Sequence, residues 1–385
     1  MGDLYWPGDE RAGTLLSDEA LVTAMVAVEQ AWLDALAAAG LTTSMPLAAP
    51  SVDDLTAGAE SGGNPVIGLV PLLRRQSPWA HRGLTSQDVL DSALMLCLRE
   101  VADRVTDELR AQVSSLVTLV AAHRSSLMVG RTLAQHAVPV TFGLKAAGWL
   151  TGVLDAAATL GALSFPAQLG GAAGTLSAAA ELSDDPVPLS ARAAVALGLE
   201  ARLPWHTSRR PVTAIGDALV ACTDAFGRVA TDVATLSRPE IGEVAEAAGG
   251  GSSTMPQKRN PVLSVLIRRA AITTPGLAAT LHTAAALAGD ERPDGPWHAE
   301  WATLRDLGRR TVVAASQTAE LLAGLRVDAA RMAATAEAAH AELTAERDAI
   351  AGFTDRAPGT DDYLGATDAI IDGVLGRATD FLETA

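Results

Sequence analysis

Apolar residues recur at steps of three and four along most of the chain, and this period predicts amphipathic helices rather than strands. The first such run occupies residues 17–40, where Ser17 is placed to cap a helix and Gly40 to end it. Its apolar positions are Leu21, Met25, Val28, Trp32 and Leu36. We expect a helix here, followed by a proline-punctuated helical region to about residue 80.

A much longer run extends from about residue 88 to 124 without a proline. Its apolar positions are Leu94, Leu98, Val101, Val105, Leu109, Val113, Leu116 and Val120. At about 1.5 Å per residue, this helix is roughly 50 Å long. A stripe of that length predicts a helix bundle or a subunit interface, because a lone helix could not bury it.

Similar periodicity predicts further helices, over 212–236, from 261 past Pro275, from about 302 to 324, and through the tail 325–385 with a turn at RAPGTDD. Between the long helices, Pro139 in GRTLAQHAVPVTFG interrupts any helix. His136 is therefore expected on irregular or kinked backbone just before the helix that carries Lys145 and Trp149.

The composition favours an all-α fold. Hydrophobic residues make up 49% of the 385 residues and aromatic residues only 4%, so alanine and leucine carry the core. Closely packed helices suit that composition better than a sheet. The formal net charge of −16, with no basic run, argues against nucleic acid or acidic membranes as partners. An anionic ligand must then be bound by a few focused cations.

Cysteine usage and the absence of a targeting pattern favour a reducing compartment. Cys97 and Cys222 are the only cysteines, and their apolar surroundings predict buried thiols rather than a disulfide. The N-terminal MGDLYWPGDERAG lacks the basic and apolar regions of a signal peptide. The longest uncharged stretch, 156–180, is broken by Pro166 and several glycines, so no membrane span is expected. A cytoplasmic location follows as the expectation.

Residues 249–261, GGGSSTMPQKRNP, combine mobility with polar groups. Three glycines free the backbone, and two serines followed by Lys258 and Arg259 fit a lid over an anionic substrate. Asn260 is predicted to cap the next helix, with Pro261 at its first position. A helix start suits carboxylates. The simpler alternative is a flexible linker that ends in an ordinary cap.

Four further polar segments stand out in this Ala- and Leu-rich chain, namely 81–88, 130–136, 205–210 and 291–300. Each has a structural alternative to a functional role. These alternatives are a capping box at Thr85 and Asp88, a surface histidine at His136, a solvated face at Arg209 and Arg210, and an aromatic cluster around His298.

The order of residues in these segments resembles a known family. GSSTMPQKRNP resembles the fumarase/aspartase superfamily signature G-S-S-x-M-P-x-K-x-N-P at every fixed position. TSQD and GRTLAQHAVPVTFG resemble two other blocks of that superfamily's shared active site. LTSQDVLDSALMLCLRE, QHAVPVTFGLKAAGW, GGAAGTL, LPWHT and DYLGATDAIIDGVL are similar to one branch, the bacterial 3-carboxy-cis,cis-muconate cycloisomerases.

The resemblance implies an all-α, three-domain fold with a central long-helix bundle. Its domains correspond to 1–88, an N-terminal helical domain, 89–324, the bundle, and 325–385, a C-terminal helical domain shortened by about half. It also implies a homotetramer whose sites are each built from three subunits, with neither a metal nor an organic cofactor.

The implied reaction is an intramolecular addition that converts 3-carboxy-cis,cis-muconate to 4-carboxymuconolactone in aromatic catabolism. In reverse it is the proton abstraction and β-elimination of the superfamily. The difficult species is a carbanion beside a carboxylate, which preorganised donors must stabilise. The alternative enzyme is a superfamily lyase that releases a fumarate-like product from a substituted succinate. A scaffold that has lost activity and a helical interaction protein are the non-enzymatic alternatives.

By resemblance, Ser252 exchanges the proton on carbon, and Lys258 helps to tune its acidity. His136 is implied either as an acid or base or as a carboxylate ligand. Glu300 is expected to orient Lys258 or another cation.

A di- or tricarboxylate substrate also needs cations, and Arg131 or Arg209 is expected to bind a carboxylate as a fork. The remaining substrate contacts implied by the resemblance are Thr85, Ser86, Thr132, Gln135, Thr207, Ser253, Met255 and Asn260. Two positions depart from the family pattern. Leu133 stands where many superfamily lyases have histidine, and Arg210 stands where the family often has an aspartate.

Overall fold

The computed structural model describes residues 3–247, 250–251, 254–255, 257–354 and 363–384. Within these ranges the regular structure is overwhelmingly helical, as the sequence predicts, so the all-α fold class is confirmed. The helices are α1 Asp18–Ala38, α2 Val52–Gly62, α3 Val66–Gln76, α4 Ser86–Ala122, α5 Phe142–Gly161, α6 Ser177–Ala180, α7 Pro186–Ala196, α8 Arg210–Leu236, α9 Val262–Leu287, α10 Gly295–Ala323, α11 Ala329–Ala338, α12 His340–Ala351 and α13 Thr367–Glu383. The strands are β1 Leu127–Thr132, β2 Gln135–Thr141, β3 Val244–Ala245 and β4 Arg326–Val327.

The two helices predicted first are confirmed, and their bounds lie within about two residues of the predicted ones. Ser17 caps α1, because its side chain accepts a hydrogen bond from the Ala20 amide at 3.2 Å. The apolar stripe of α4 is buried along its whole length, and its most exposed member, Leu94, is only 5% exposed. The turn predicted at RAPGTDD lies outside the described residues.

Two expectations about local structure are corrected. The helix predicted from about residue 302 begins earlier, at Gly295, because Pro296 suits the first turn of a helix. His136 does not lie on irregular backbone. Instead, β1 and β2 form an antiparallel hairpin, with Arg131 opposite His136. Pro139 fits this small sheet since each of the two strands is an edge strand.

The chain divides into two compact units. The first contains the residues up to Arg104 together with Ala162–Val220 and Thr273–Val313, and within it α1 packs on α7. The second contains Val105–Gly161, Ala221–Ile272 and the chain from Ala314 onward. In the second unit β1 packs on α11, β2 on α12, and α13 on α5. The three domains expected from the sequence stay a prediction.

Two of the described helices, α1 and α9, are long and apolar enough to cross a membrane by length and composition alone. In α1 the most apolar window is 61% buried in the fold, as in a core helix. The corresponding window of α9 is only 28% buried. Exposed apolar residues on α9 include Val265, Ile272 and Leu287.

Candidate active site

The site in the first unit is built on a buried carboxylate at the start of α4. Asp88 is fully buried and accepts hydrogen bonds from the amides of Thr85, Gly170 and Gly171 at 2.8–2.9 Å. Burial raises the pKa of Asp88, and the hydrogen bonds to its charged form oppose that rise. Asp88 thereby ties the glycine-rich turn at residues 170–171 to the beginning of α4.

His206 lies beside this carboxylate. Its Nε2 donates to the Gly171 carbonyl at 2.9 Å, and its Nδ1 accepts from Nε2 of Gln168 at 3.2 Å. In these contacts Nε2 is the donor and Nδ1 the acceptor. The close approach requires glycine at position 170, where a Cβ would lie 2.5 Å from Cε1 of His206. The ring therefore packs against the turn that Asp88 holds.

Arg209 forms a second buried cluster with two carboxylates. Its Nε and Nη2 donate to Glu300 at 3.0 and 2.6 Å. Its Nη1 and Nη2 donate to Asp91 at 2.7 and 3.2 Å, and Nη1 also donates to the His206 carbonyl at 3.1 Å. Burial opposes the charge on Arg209, but the two carboxylates raise its pKa above the ordinary value. Burial likewise raises the pKa of Glu300, and Arg209 opposes that rise.

This cluster corrects the expectation that Arg209 binds a substrate carboxylate. All five N–H donors of the guanidinium are engaged inside the protein. The side chain is also only 1% exposed, and its guanidinium stacks 4.8 Å from the ring of Trp205. The cation that Glu300 binds is Arg209.

The two clusters hold the expected contact residues of this unit in place. Gln87 donates to both Asp91 and the His206 carbonyl, at 3.1 and 2.9 Å, so the segment 205–207 is fixed beside the first turn of α4. Ser86 is buried in that turn, whereas Thr85 and Thr207 are half-buried. Thr85 Oγ1 accepts a hydrogen bond from Arg292 at 3.0 Å. These hydroxyl groups thus lie at the start of a long helix, whose dipole favours an anion.

In the second unit, the β1–β2 hairpin carries four predicted site residues. Thr132, Gln135 and His136 are exposed near its tip, and Nδ1 of His136 lies 3.2 Å from Glu342. Leu133 forms the tip itself, in a left-handed conformation with φ of 48°.

Arg131 is the exception among these hairpin residues, because it points to an internal acid. Its Nη1 and Nη2 donate to the two oxygens of Glu243 at 3.0 and 2.9 Å. The Glu243 side chain is fully buried, so this fork neutralises a buried charge. Arg131 was expected to bind a substrate carboxylate with both Nη groups, but in the structure both bind Glu243 of the same chain.

The signature loop is closed at its base. The amides and carbonyls of Gly250 and Asn260 exchange two hydrogen bonds, at 2.8 and 2.9 Å. Glycine is required at position 250 because a Cβ there would lie 2.2 Å from Val262. Met255 and Lys258 are exposed on the described part of the loop. Ser252 and Ser253 lie outside the described residues, and their roles stay predictions.

The cap of α9 differs from the expected one. Glu246, rather than Asn260, receives the first amides of the helix, from Leu263 at 3.1 Å and Ser264 at 2.8 Å. The side chain of Asn260 instead donates to the Gly251 carbonyl at 3.4 Å. The start of α9 favours a carboxylate, and Glu246 of the chain itself supplies it.

Several residues of the site escaped the sequence analysis, namely Asp91, His206, Glu243, Glu246 and Arg292. LPWHT and the polar segment 291–300 mark the neighbourhoods of His206 and Arg292, but not their partners. The other three are isolated acids on helices or loops, without a local signal. Within the described ranges, no group of three or more His, Cys, Asp or Glu side chains is arranged to hold a metal ion.

Comparison with known proteins identifies the family of this chain. A family model described as Lyase matches residues 17–276. Nitrosuccinate lyase of Streptomyces davaonensis is 42% identical over 369 residues, which cover 88% of this chain and 78% of that protein. 3-Carboxy-cis,cis-muconate cycloisomerase of Bradyrhizobium diazoefficiens is 38% identical over 329 residues, or 82% of this chain and 72% of that protein.

The solved structures agree. The crystal structure of 3-carboxy-cis,cis-muconate lactonizing enzyme from Pseudomonas putida is 28% identical, covers 97% of both chains, and superposes with a TM-score of 0.82. This structural similarity, the family match and the sequence relatives all indicate the same lyase family. The chain therefore belongs to the lyase family of the fumarase/aspartase superfamily, and it is similar to the 3-carboxy-cis,cis-muconate cycloisomerases within it.

Proposed function

We propose that this protein is a lyase that releases fumarate from a 2-substituted succinate, with 2-nitrosuccinate as the first substrate to test. The observation that carries this proposal is the 42% identity to nitrosuccinate lyase across 88% of the chain. The motifs of the sequence alone favour the cycloisomerase reaction, with such a lyase as the alternative. We now prefer the lyase because the relative that bears this activity is more similar than the cycloisomerase described above.

The distribution of charge also supports a substrate with two carboxylates rather than three. Arg131 and Arg209 were the cations expected to bind carboxylates, and both are engaged by buried acids. Each carboxylate bound away from water needs its own cation or several donors. With these two cations engaged internally, a dianion is easier to bind than a trianion.

The proposed reaction is a β-elimination. Ser252 takes a proton from the carbon beside one carboxylate of 2-nitrosuccinate, and the electron pair of that C–H bond forms the C=C bond of fumarate. The C–N bond breaks, and nitrite leaves with its electron pair. Charge builds on the carboxylate next to the carbanion, so Lys258 and loop amides stabilise it in the transition state. In this proposal the same Lys258 lowers the cost of ionising Ser252.

The other implied residues keep the roles that the resemblance gave them. Thr85, Ser86 and Thr207 supply hydroxyl donors from the first unit, and Asn260 supplies an amide. His136, Thr132 and Gln135 are exposed on the hairpin and so can reach a substrate held by another copy of the chain. Ser253 and Met255 complete the loop around the substrate. Neither a metal nor an organic cofactor enters this scheme.

The second candidate function is lactonisation of 3-carboxy-cis,cis-muconate. The 38% identity to a cycloisomerase and the 97% structural coverage of the lactonizing enzyme favour it. Its chemistry uses the same proton transfer in reverse, with a carboxylate of the substrate as the nucleophile.

A homotetramer is part of the proposal. Ile272 and Leu287 of α9 are 74% and 67% exposed in the single chain, on a helix that is mostly apolar. A large exposed apolar surface on a soluble enzyme is normally covered by another subunit. Size-exclusion chromatography with light scattering tests this assembly, and a stable monomer would contradict it.

The cytoplasm is the proposed location. Cys97 and Cys222 are free and buried, and burial raises the pKa of each thiol to about 12. Neither thiol is therefore reactive at neutral pH, which suits a reducing compartment.

The test follows nitrite and fumarate together when the protein meets 2-nitrosuccinate, and the loss of diene absorbance when it meets 3-carboxy-cis,cis-muconate. We expect equimolar nitrite and fumarate from the first substrate and a far slower reaction with the second. Ser252→Ala should abolish turnover with no loss of thermal stability, whereas Ser61→Ala, at an exposed surface serine, should leave both unchanged. Turnover of the muconate alone would replace the lyase with the cycloisomerase.

A further inference from the structure

Arg292 lies in the segment that leads into α10, and its position is fixed at two points. Its Nη1 donates to Oγ1 of Thr85 at 3.0 Å. Its guanidinium also stacks on the ring of Trp297, 5.0 Å from the ring centre. Trp297 is 1% exposed and donates its own N–H to Asp91 at 2.8 Å, so the ring cannot shift easily. A half-buried guanidinium is thus held over the Trp297 ring, beside the start of α4.

This arginine differs from the other two cations of the candidate site. Arg131 and Arg209 each bind buried carboxylates. Within the described residues, Arg292 forms no ion pair, although Glu291 and Asp294 are close to it in sequence. A guanidinium has five N–H donors, and one of those on Arg292 goes to Thr85. The guanidinium therefore keeps donors beyond the one that binds Thr85.

The acids near Arg292 already have other partners, because amides bind Asp88 and both Trp297 and Arg209 bind Asp91. Thr85 and the buried Ser86 open α4, where the helix dipole and the first amides favour negative charge. An aromatic ring beneath a guanidinium fixes its plane while leaving its N–H edge available. Such an edge matches the two oxygens of a carboxylate, which Lys or a hydroxyl alone cannot match.

We propose that Arg292 is the residue that binds one carboxylate of the substrate, in the role that the sequence pattern assigned to Arg131 or Arg209. The inference rests on the proposed function, since it takes the substrate to be a succinate-type dianion. Thr85 fixes one edge of the guanidinium and Ser86 supplies a neighbouring hydroxyl. The charge of Arg292 thereby selects a carboxylate over a neutral amide at that end of the substrate.

Binding of an unreactive ligand tests this assignment without relying on turnover. The probes are succinate and succinamate, which differ only in that one carboxylate is an amide. Their dissociation constants are measured by calorimetry for the wild type, Arg292→Gln, Arg292→Lys and Arg75→Gln. Arg75 is an exposed arginine in the same unit, so its variant is matched in charge and leaves the site intact.

Arg292→Gln should weaken succinate binding by about 10- to 100-fold, the usual effect of losing a charge-assisted hydrogen bond pair. It should affect succinamate much less, so the preference of the wild type for succinate collapses. Arg292→Lys should restore part of the preference, and Arg75→Gln should match the wild type. A merely structural role would lower the affinity for both probes equally.

Two results would overturn the assignment. One is an Arg292→Gln protein that binds succinate within about twofold of the wild type. The other is a wild type that binds succinate no better than succinamate. Failure of the proposed function is separate from either, because a protein that shows the expected succinate preference but does not turn over 2-nitrosuccinate refutes the reaction and leaves Arg292 in place.

Discussion

Replacement of Arg209 by methionine distinguishes an internal cation from a substrate ligand. The side chains of Arg209, Asp91 and Glu300 are each about 1% exposed, and the arginine lies between the two acids. Methionine fills similar volume but carries no charge and no donor. Arg209→Met therefore leaves two carboxylates buried without the group that neutralises them.

The expected cost follows from that geometry. Breaking a buried ion pair by removing one partner costs about 3–5 kcal/mol, because the remaining charge stays out of water. Arg209 serves two acids at once, so the upper part of that range applies. Arg209→Lys keeps the charge and loses the fork, and we expect it to recover roughly half of the loss.

The pH dependence identifies the cause. Burial raises the pKa of Glu300, and Arg209 opposes this rise, so removing Arg209 raises the pKa of Glu300 further. A carboxyl whose pKa is raised by folding contributes stability below its unfolded pKa, and this contribution is lost as the pH increases through the folded value. The deficit of Arg209→Met should accordingly be largest at neutral pH and shrink as the solution is acidified.

Urea unfolding at one fixed protein concentration, at neutral and at mildly acidic pH, measures both effects. Arg209→Lys serves as the folded comparison if Arg209→Met is too unstable to purify. The reasoning fails if Arg209→Met unfolds within about 0.5 kcal/mol of the wild type, the scatter expected for a surface change. A stable Arg209→Met protein with a raised KM would instead return Arg209 to substrate binding.

Two further predictions concern the framework around the site. Glu246→Ala removes the acceptor for the first amides of α9 and should cost about 1–2 kcal/mol of stability by thermal unfolding, as for loss of a helix cap. Glu337→Ala, at an exposed glutamate, should cost little. Equal unfolding midpoints for the two variants would contradict the role of Glu246 as a cap. Gly227→Ala should cost about 1–3 kcal/mol of stability, because its Cβ would lie 2.5 Å from Ala271. Gly148→Ala on α5 places its Cβ in open space and should be neutral or stabilising. A Gly227→Ala protein as stable as Gly148→Ala would refute the close contact between Gly227 and Ala271.

The helices and the lyase family could be predicted from the sequence because their signals are local. Ser17 and the stripe of α1 lie within one run of residues, and so do the apolar positions of α4. The signature block is likewise continuous, from Gly251 to Pro261. In each case the interacting residues lie within a few turns of one another, and a period or a pattern reveals them.

The partners of the charged residues could not be predicted in this way. Arg209 meets Glu300 across 91 positions of sequence, and Arg131 meets Glu243 across 112. Glu246 caps the helix in place of Asn260, whose backbone pairs with Gly250. No sequence pattern distinguishes these acids from acidic residues on the solvated surface.

The hairpin escaped prediction for a different reason. Pro139 correctly excluded a helix, but a strand of seven residues with a proline and a histidine has little strand character of its own. Its stability comes from packing, since Val129 on β1 meets Ala336 and Leu343 from helices that lie far along the chain. Local propensity cannot report such contacts.

The pairing of charges inside the protein sets a limit on its substrate. A chain with a formal net charge of −16 repels an anion at long range, so binding depends on cations that the fold leaves available at the site. Buried acids engage Arg131 and Arg209, while Arg292 has an aromatic ring beneath it and a hydroxyl at one edge. An arginine that is paired with an acid of the chain is not available to a substrate carboxylate. The pairing of arginines inside the protein thus limits the number of carboxylates that a substrate can carry.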